Sequence, residues 1–276
     1  MRILFSILPA TILVFCFSCS DSNEQKPSPQ ATQQESIHNT PSTPPFHAGL
    51  SVRKQVFSAE NCDVPRTDEM EYIEDWCSKR TVELLTVSLA DASVAQKINR
   101  VITQKITGNA AGIPALKAFV DKVKDQNPAN LEENLFQESI TCEVRDTGQV
   151  FLSFGITSDY YALGAAHGSY TVQVLNFDLR DGNIITLNQL FYPNNMVKLT
   201  QFVKRKFMQQ NEGEDWWFTS GDQPFQLAEV FALEPKGLRF IYQQYEVGPY
   251  AVGLPEVFLT KEELQAWMKP NDYWKF

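Results

Sequence analysis

GAAHGSYTVQVLNFDLRDGNIITLNQL, residues 164–190, is the stretch from which the fold is read. It opens on a small-residue turn around His167 and runs into a segment rich in branched and aromatic side chains. Asp181-Gly182-Asn183 then reverses the chain, because Asp-Gly tolerates the positive φ of a tight turn, and Ile184-Ile185-Thr186-Leu187 predicts the returning arm of a hairpin. Tyr170, Val172 and Val174 alternate, after which the phase slips to Leu175, Phe177 and Leu179. A one-residue slip sends side chains to the opposite face, so a bulge or burial on both faces is expected near Val174.

Working outward, residues 52–60 and 79–89 read as neighbouring strands, and Val94, Ile98, Val101, Ile102 and Ile106 recur at helical spacing behind Asp91 or Ser93 as cap. Gly108 to Gly112 breaks that helix, Pro114 starts another, and Asn127-Pro128 marks its end. Residues 135–144 and 149–156 predict a second hairpin about an Arg145–Gly148 turn. Asn194 or Asn195 caps a helix carrying Met196, Leu199, Phe202, Val203 and Phe207, whose exposed face holds Lys198, Lys204, Arg205 and Lys206. Residues 225–233 and 238–242 flank a Pro235-Lys236-Gly237 turn, 256–259 adds a strand, and Thr260 with Glu263 fits a capping box for a last helix bearing Leu264, Trp267 and Met268. Hairpins alternating with isolated helices predict an α+β fold, a largely antiparallel sheet with about four helices packed on it.

The ends of the chain bear on location. Residues 1–18 hold one basic residue, Arg2, and an apolar run too short for a membrane span, followed by Ser18-Cys19-Ser20. This is an export signal, and Cys19 directly after a small residue predicts a bacterial lipoprotein acylated there. Cys16 and Phe17 stand where such signals usually carry Leu and a small residue; an ordinary cleaved signal is the alternative. Residues 19–50 are proline-rich and polar, with little to bury, and predict a disordered tether reaching roughly 30 Å from a membrane surface. Loss of Arg2 takes the formal charge from −9 to −10, which excludes nucleic acid as a partner and leaves cationic partners open.

Beyond the leader the cysteines are Cys62, Cys77 and Cys142. In an oxidising compartment one disulfide and one thiol is the simplest count. Cys62 and Cys77 flank a loop between neighbouring strands and are the expected pair, with Cys142 a buried free thiol. His167, the single histidine well inside the folded region, lacks the nitrogen partners of a usual zinc site, so no metal and no cofactor is expected. Its simplest role is to fix its turn by hydrogen bonding. Asp159 and His167 would suit orientation of a nucleophile, but no G-x-S-x-G elbow accompanies them. Tyr245, Glu246 and Tyr250 read either as an aromatic-acidic binding surface or as core beside a loop shaped by Gly248, Pro249 and Gly253. Glu212, Glu214 and Asp215 beside Trp216 and Trp217 read as a solvated loop with docking tryptophans.

Gly164-Ala165-Ala166-His167-Gly168, Asn176-Phe177-Asp178, Asp181-Gly182, Leu190-Phe191 and the run Tyr245-Glu246-Val247-Gly248-Pro249-Tyr250-Ala251-Val252-Gly253 together carry a family resemblance. They resemble the extracytoplasmic domain of unknown function in lysozyme-sensing anti-sigma factors, which also forms the non-catalytic part of a peptidoglycan deacetylase. The resemblance divides the chain into a DUF4163-like region over 51–160 and a DUF3298-like region over 161–276. It implies a non-enzymatic binding module recognising lysozyme-like muramidases or peptidoglycan, with His167, Tyr245, Glu246 and Tyr250 as binding residues. An envelope hydrolase acting on cell-wall glycan is the alternative.

Overall fold

The computed structural model describes residues 49–62, 77–125, 135–212 and 225–274. The leader, the tether up to residue 48, the loop between Cys62 and Cys77, the end of the second helix at Asn127-Pro128, and the Glu214, Asp215, Trp216 and Trp217 group lie outside the described residues, while Leu50, expected in the tether, is buried in the core. The chain is α+β. Strands β1 (Ser51–Asn61) and β2 (Ser78–Ser88) pair antiparallel, from Ser51 opposite Ser88 to Asn61 opposite Ser78. One rung beyond, Cys62 and Cys77 are joined by a disulfide. Helix α1 (Ala92–Thr107) starts at Asp91, whose carboxylate accepts from the Ser93 and Val94 amides, and stops at Gly108, whose φ of 86° suits glycine. Pro114 sits in the first turn of α2 (Ile113–Asp121), where its missing N–H costs nothing.

Strands β3 (Phe136–Thr147), β4 (Phe151–Ala162) and β5 (Ser169–Asp178) complete a five-stranded sheet in the order β1-β2-β3-β4-β5. Every pair is antiparallel except β2 with β3, which is parallel because α1 and α2 carry the chain back across the sheet. This one crossover departs from the hairpin-only pattern expected of the sequence. The Arg145–Gly148 turn is also displaced: β3 continues to Thr147 through a register shift between Val144 and Asp146, and the reversal is closed by the Gly148 amide donating to Phe151 O.

The phase slip in β5 produces no bulge. Pairing with β4 is unbroken from Ser169 opposite Tyr160 to Asp178 opposite Phe151, and residues 175–178 are buried on both faces. The arm after Asp181-Gly182 returns for only one bridge, Ile184 against Phe177, with the Ile185 amide donating to Asn176 O. It ends there because Thr186 and Gln189 form a capping box that turns the chain into the short helix α3 (Leu187–Leu190).

Helix α4 (Met196–Gln210) buries Leu199, Val203 and Phe207. Asn195 stands at its N-cap, but its side chain donates to Trp267 O instead of capping. Strands β6 (Val230–Glu234), β7 (Gly237–Ile241) and β8 (Glu256–Thr260) form a second, antiparallel sheet, and Thr260 and Glu263 cap the single turn of α5 (Lys261–Leu264). The strand expected over 225–233 begins only at Val230.

Two apolar clusters result. Leu152, Phe154 and Ile156 of β4 face α1 and α2 with Val82, Leu84 and Ile140. Phe151, one residue away, joins Phe191, Phe207, Phe240 and Tyr242 under the second sheet. The described residues belong to one compact unit, and β4 runs through position 160, so the regions expected on either side of it share one sheet. On the face opposite the helices the second sheet covers the Asn176 end of β3–β5 and leaves their Gln137 and Asp159 end open.

Candidate binding cleft

The Gly164–Gly168 turn joins β4 to β5. Gly164 adopts φ +87°, and a Cβ on Gly168 would lie 2.9 Å from Tyr160 O, so both positions call for glycine. His167 Nδ1 donates to Gly168 O at 2.9 Å, which leaves Nε2 as the acceptor facing the Tyr245 hydroxyl at 3.5 Å. The imidazole lies over the Tyr250 ring with centroids 4.1 Å apart, and Tyr250 in turn lies 6.2 Å from Tyr245. His167, Tyr245 and Tyr250 are thus brought together from two loops distant in sequence.

Tyr245 has φ 63°, the one positive value at a non-glycine among the described residues, and its side chain is 54% exposed. A bulky residue held in the left-handed region at an exposed loop tip is a pointer to function, because packing gives no reason for it. The same loop is fixed from below. Val247 is buried, and Gly253 leaves no room for a side chain, since a Cβ there would lie 2.7 Å from Tyr170 Oη. Glu246 does not join the aromatic group. Its carboxylate accepts from the Gln243 amide at 2.7 Å, and partial burial of the carboxyl pushes its pKa up. It braces the turn.

Gln243 and Gln244 also close the outer edge of β5. Gln243 accepts from Val172 N and donates to Val172 O, while Gln244 accepts from Tyr170 N. These amides supply the partners that a neighbouring strand would otherwise provide. Gln244 Nε2 is left buried without a partner among the described residues.

Beneath the aromatic group is a cleft of about 460 Å³, within the size range of small-ligand sites. Its floor is the uncovered face of the large sheet, where register lines up Lys79, Gln137 and Tyr161 in one row and Thr81, Ser139, Asp159 and Tyr170 in the next. Tyr250 forms part of the wall. Thr81 shares a hydrogen bond with Ser58, and Tyr161 donates to Ala165 O, but Lys79 and Asp159 make no ion pair among the described residues. Apart from Asp159, weighed as a partner for His167, and Tyr170, read as part of an alternating strand, these floor residues escape a linear reading. Their signal is polar alternation at one end of three strands, and only the strand register shows that they share a face.

The arrangement does not build a nucleophile. Asp159 makes no hydrogen bond to His167, whose Nδ1 is taken by its own turn. Cys142 packs among the apolar residues on the helix side of the sheet, away from the cleft face, and burial pushes its thiol up to about 11, so it is not a thiolate at neutral pH. Among the described residues no three His, Cys, Asp or Glu converge as a metal site, and no described helix is long and apolar enough to cross a membrane.

Comparison with solved structures finds similar folds in two proteins. One is a DUF3298 family member from Bacteroides fragilis, 19% identical, covering 82% of this chain and 96% of its own, with a TM-score of 0.68. The other is a DUF3298 family protein from Pseudomonas aeruginosa, 17% identical, covering 80% of this chain and 95% of its own, with a TM-score of 0.58. No curated protein matches the sequence significantly. Residues 188–262, which take in most of the second layer from α3 through β8, match a family model, DUF3298, described as a protein of unknown function.

Proposed function

We propose that this protein is a cell-envelope lipoprotein, held to a membrane through Cys19, whose folded part is a non-enzymatic module that binds peptidoglycan in the cleft. One observation carries the reading: the stacked His167–Tyr250 pair and the strained, exposed Tyr245 stand beside a cleft floored by polar side chains. Flat rings beside fixed hydrogen-bonding groups suit an amphipathic polymer such as a cell-wall glycan, whose ring faces are apolar and whose edges are polar.

The acidic balance of the chain supports a second reading, capture of a basic lysozyme-type muramidase by the same surface, as the sequence resemblance implies. Nothing favours the hydrolase alternative to the same degree. Glycoside hydrolysis needs a protonated carboxyl and a second carboxylate placed about the scissile bond. Asp159 is the one carboxylate on the described cleft floor, and Glu138, on the opposite face of the same strands, is committed to Arg80 at 2.5 Å.

Calorimetric titration of the non-lipidated mature chain with soluble peptidoglycan fragments, and separately with a basic lysozyme at low and high salt, tests both readings. Saturable heat from the fragments that is lost in Tyr250→Ala supports the glycan reading. Heat only with lysozyme, persisting at high salt, supports the second. No heat with either removes both.

A further inference from the structure

Of the groups in the cleft, the two that the glycan reading leaves unused are Lys79 and Asp159. Both are exposed and carry opposite charges, and no hydrogen bond or ion pair engages either side chain among the described residues. This contrasts with the other face of the same strands, where Arg80 and Glu138, their neighbours in register, are locked together at 2.5 Å. Glu60 stands opposite Lys79 on β1 but does not pair with it.

Register fixes the spacing between the two residues on the floor. Lys79 on β2 faces Gln137 on β3, which faces Tyr161 on β4, and Asp159 is two residues along β4 from Tyr161. Two inter-strand steps and two residues along a strand place their Cα atoms about 12 Å apart on a diagonal. That diagonal crosses β3 between Gln137 and Ser139, whose side chains are also without partners among the described residues. An ammonium, a carboxamide, a hydroxyl and a carboxylate therefore line one path across a rigid floor.

We propose that the cleft floor is a subsite for a short extended peptide bearing a free carboxylate at one end and a free ammonium at the other, held by Lys79 and Asp159 respectively. Three extended residues span about 10–11 Å, which matches the diagonal. Gln137 and Ser139 lie where they meet the peptide groups between the two ends. The inference rests on the peptidoglycan reading and deepens it: the aromatic pair takes the sugar, and the floor takes a cell-wall peptide that has been released from the sugar and so has both ends free.

The probe is tri-alanine, compared with its N-acetylated and C-amidated forms, titrated by NMR into the non-lipidated mature chain at millimolar concentrations, where a ligand of this size is expected to bind. Free tri-alanine is expected to shift cleft resonances saturably. Blocking either end is expected to weaken binding about tenfold. Asp159→Asn is expected to weaken the free peptide but not the acetylated one, and Lys79→Met the free peptide but not the amidated one, since each variant removes the group that its blocked end no longer meets. Equal affinity for free and blocked peptides, equal effects of each variant on both, or no binding of tri-alanine would overturn the proposal. A peptide-free chitooligosaccharide is run in parallel. Sugar binding without peptide binding leaves the glycan reading standing and removes this subsite, whereas peptide binding without sugar binding keeps the subsite and removes the stacking role of His167 and Tyr250.

Discussion

Asn176 is 1% exposed and holds two sheets together with one amide. Its Nδ2 donates to Phe231 O, and its Oδ1 accepts from Leu233 N and from Ser153 Oγ. In effect the side chain inserts a rung between β5 and β6 where no backbone pairing exists. Asn176→Ala would strand three buried polar groups, and a loss of about 3 kcal/mol or more in urea unfolding is expected; a loss under about 1 kcal/mol would show that the layers do not depend on it. Tyr245 poses the opposite case. Glycine adopts its φ of 63° without strain, so Tyr245→Gly is expected to raise the unfolding midpoint, by roughly 1 kcal/mol at most, while weakening peptidoglycan binding. A gain in stability with affinity intact would mean that the strain serves nothing in the cleft.

Strand β5 is an outer strand whose free edge is masked by glutamine side chains from the loop after β7. Gln243→Ala removes both partners of Val172, and a cost of about 2 kcal/mol is expected, with faster hydrogen exchange of the Val172 amide and a greater tendency to associate. Exchange at Val172 no faster than in the parent protein would show that solvent replaces the amide freely. At the far side of the sheet, the β1–β2 hairpin is closed by Cys62–Cys77, fifteen residues apart. Reduction is expected to cost roughly 3 kcal/mol, read as the difference between urea midpoints with and without reductant.

For the molecule as a whole, acid is the informative stress. Asp178 is 6% exposed; burial alone would raise its pKa, but hydrogen bonds and charge from Arg180 and a hydrogen bond from the Tyr273 hydroxyl outweigh this and hold it below the usual carboxylate range. Arg180 also reaches Asp272, so the cluster ties the turn after β5 to the C-terminal segment. A carboxylate depressed on folding contributes stability that is complete above its unfolded pKa of about 4 and is lost as pH falls through the folded value. Asp178→Asn is therefore expected to flatten the fall in urea midpoint below about pH 4; an unchanged slope would place acid sensitivity elsewhere. Glu246 acts in the opposite sense. Its raised pKa favours the folded state at low pH, and that contribution disappears as pH rises through its folded value.

Short-range chemistry was enough to read several elements from the sequence. The Asp91 cap, the Thr260–Glu263 box, the spacing of Val94, Ile98, Ile102 and Ile106, and the strand-forming runs at 52–60 and 79–89 depend on neighbours within a few positions, and the α+β class follows from them. His167, Tyr245 and Tyr250 were nameable because glycines and aromatics cluster around them. Their meeting was not, because it depends on two loops being folded against β5; the bracing role of Glu246 is a local contact, three residues back along the chain, that the sequence reading did not name. The parallel pairing of β2 with β3 follows from the α1–α2 crossover, and the bulge at Arg145 from the pairing of β3 with β4. The cleft floor belongs wholly to the tertiary structure: Lys79, Ser139 and Asp159 are ordinary polar residues on three strands, and hydrogen-bonded register alone sets them side by side on the face that the second sheet leaves uncovered.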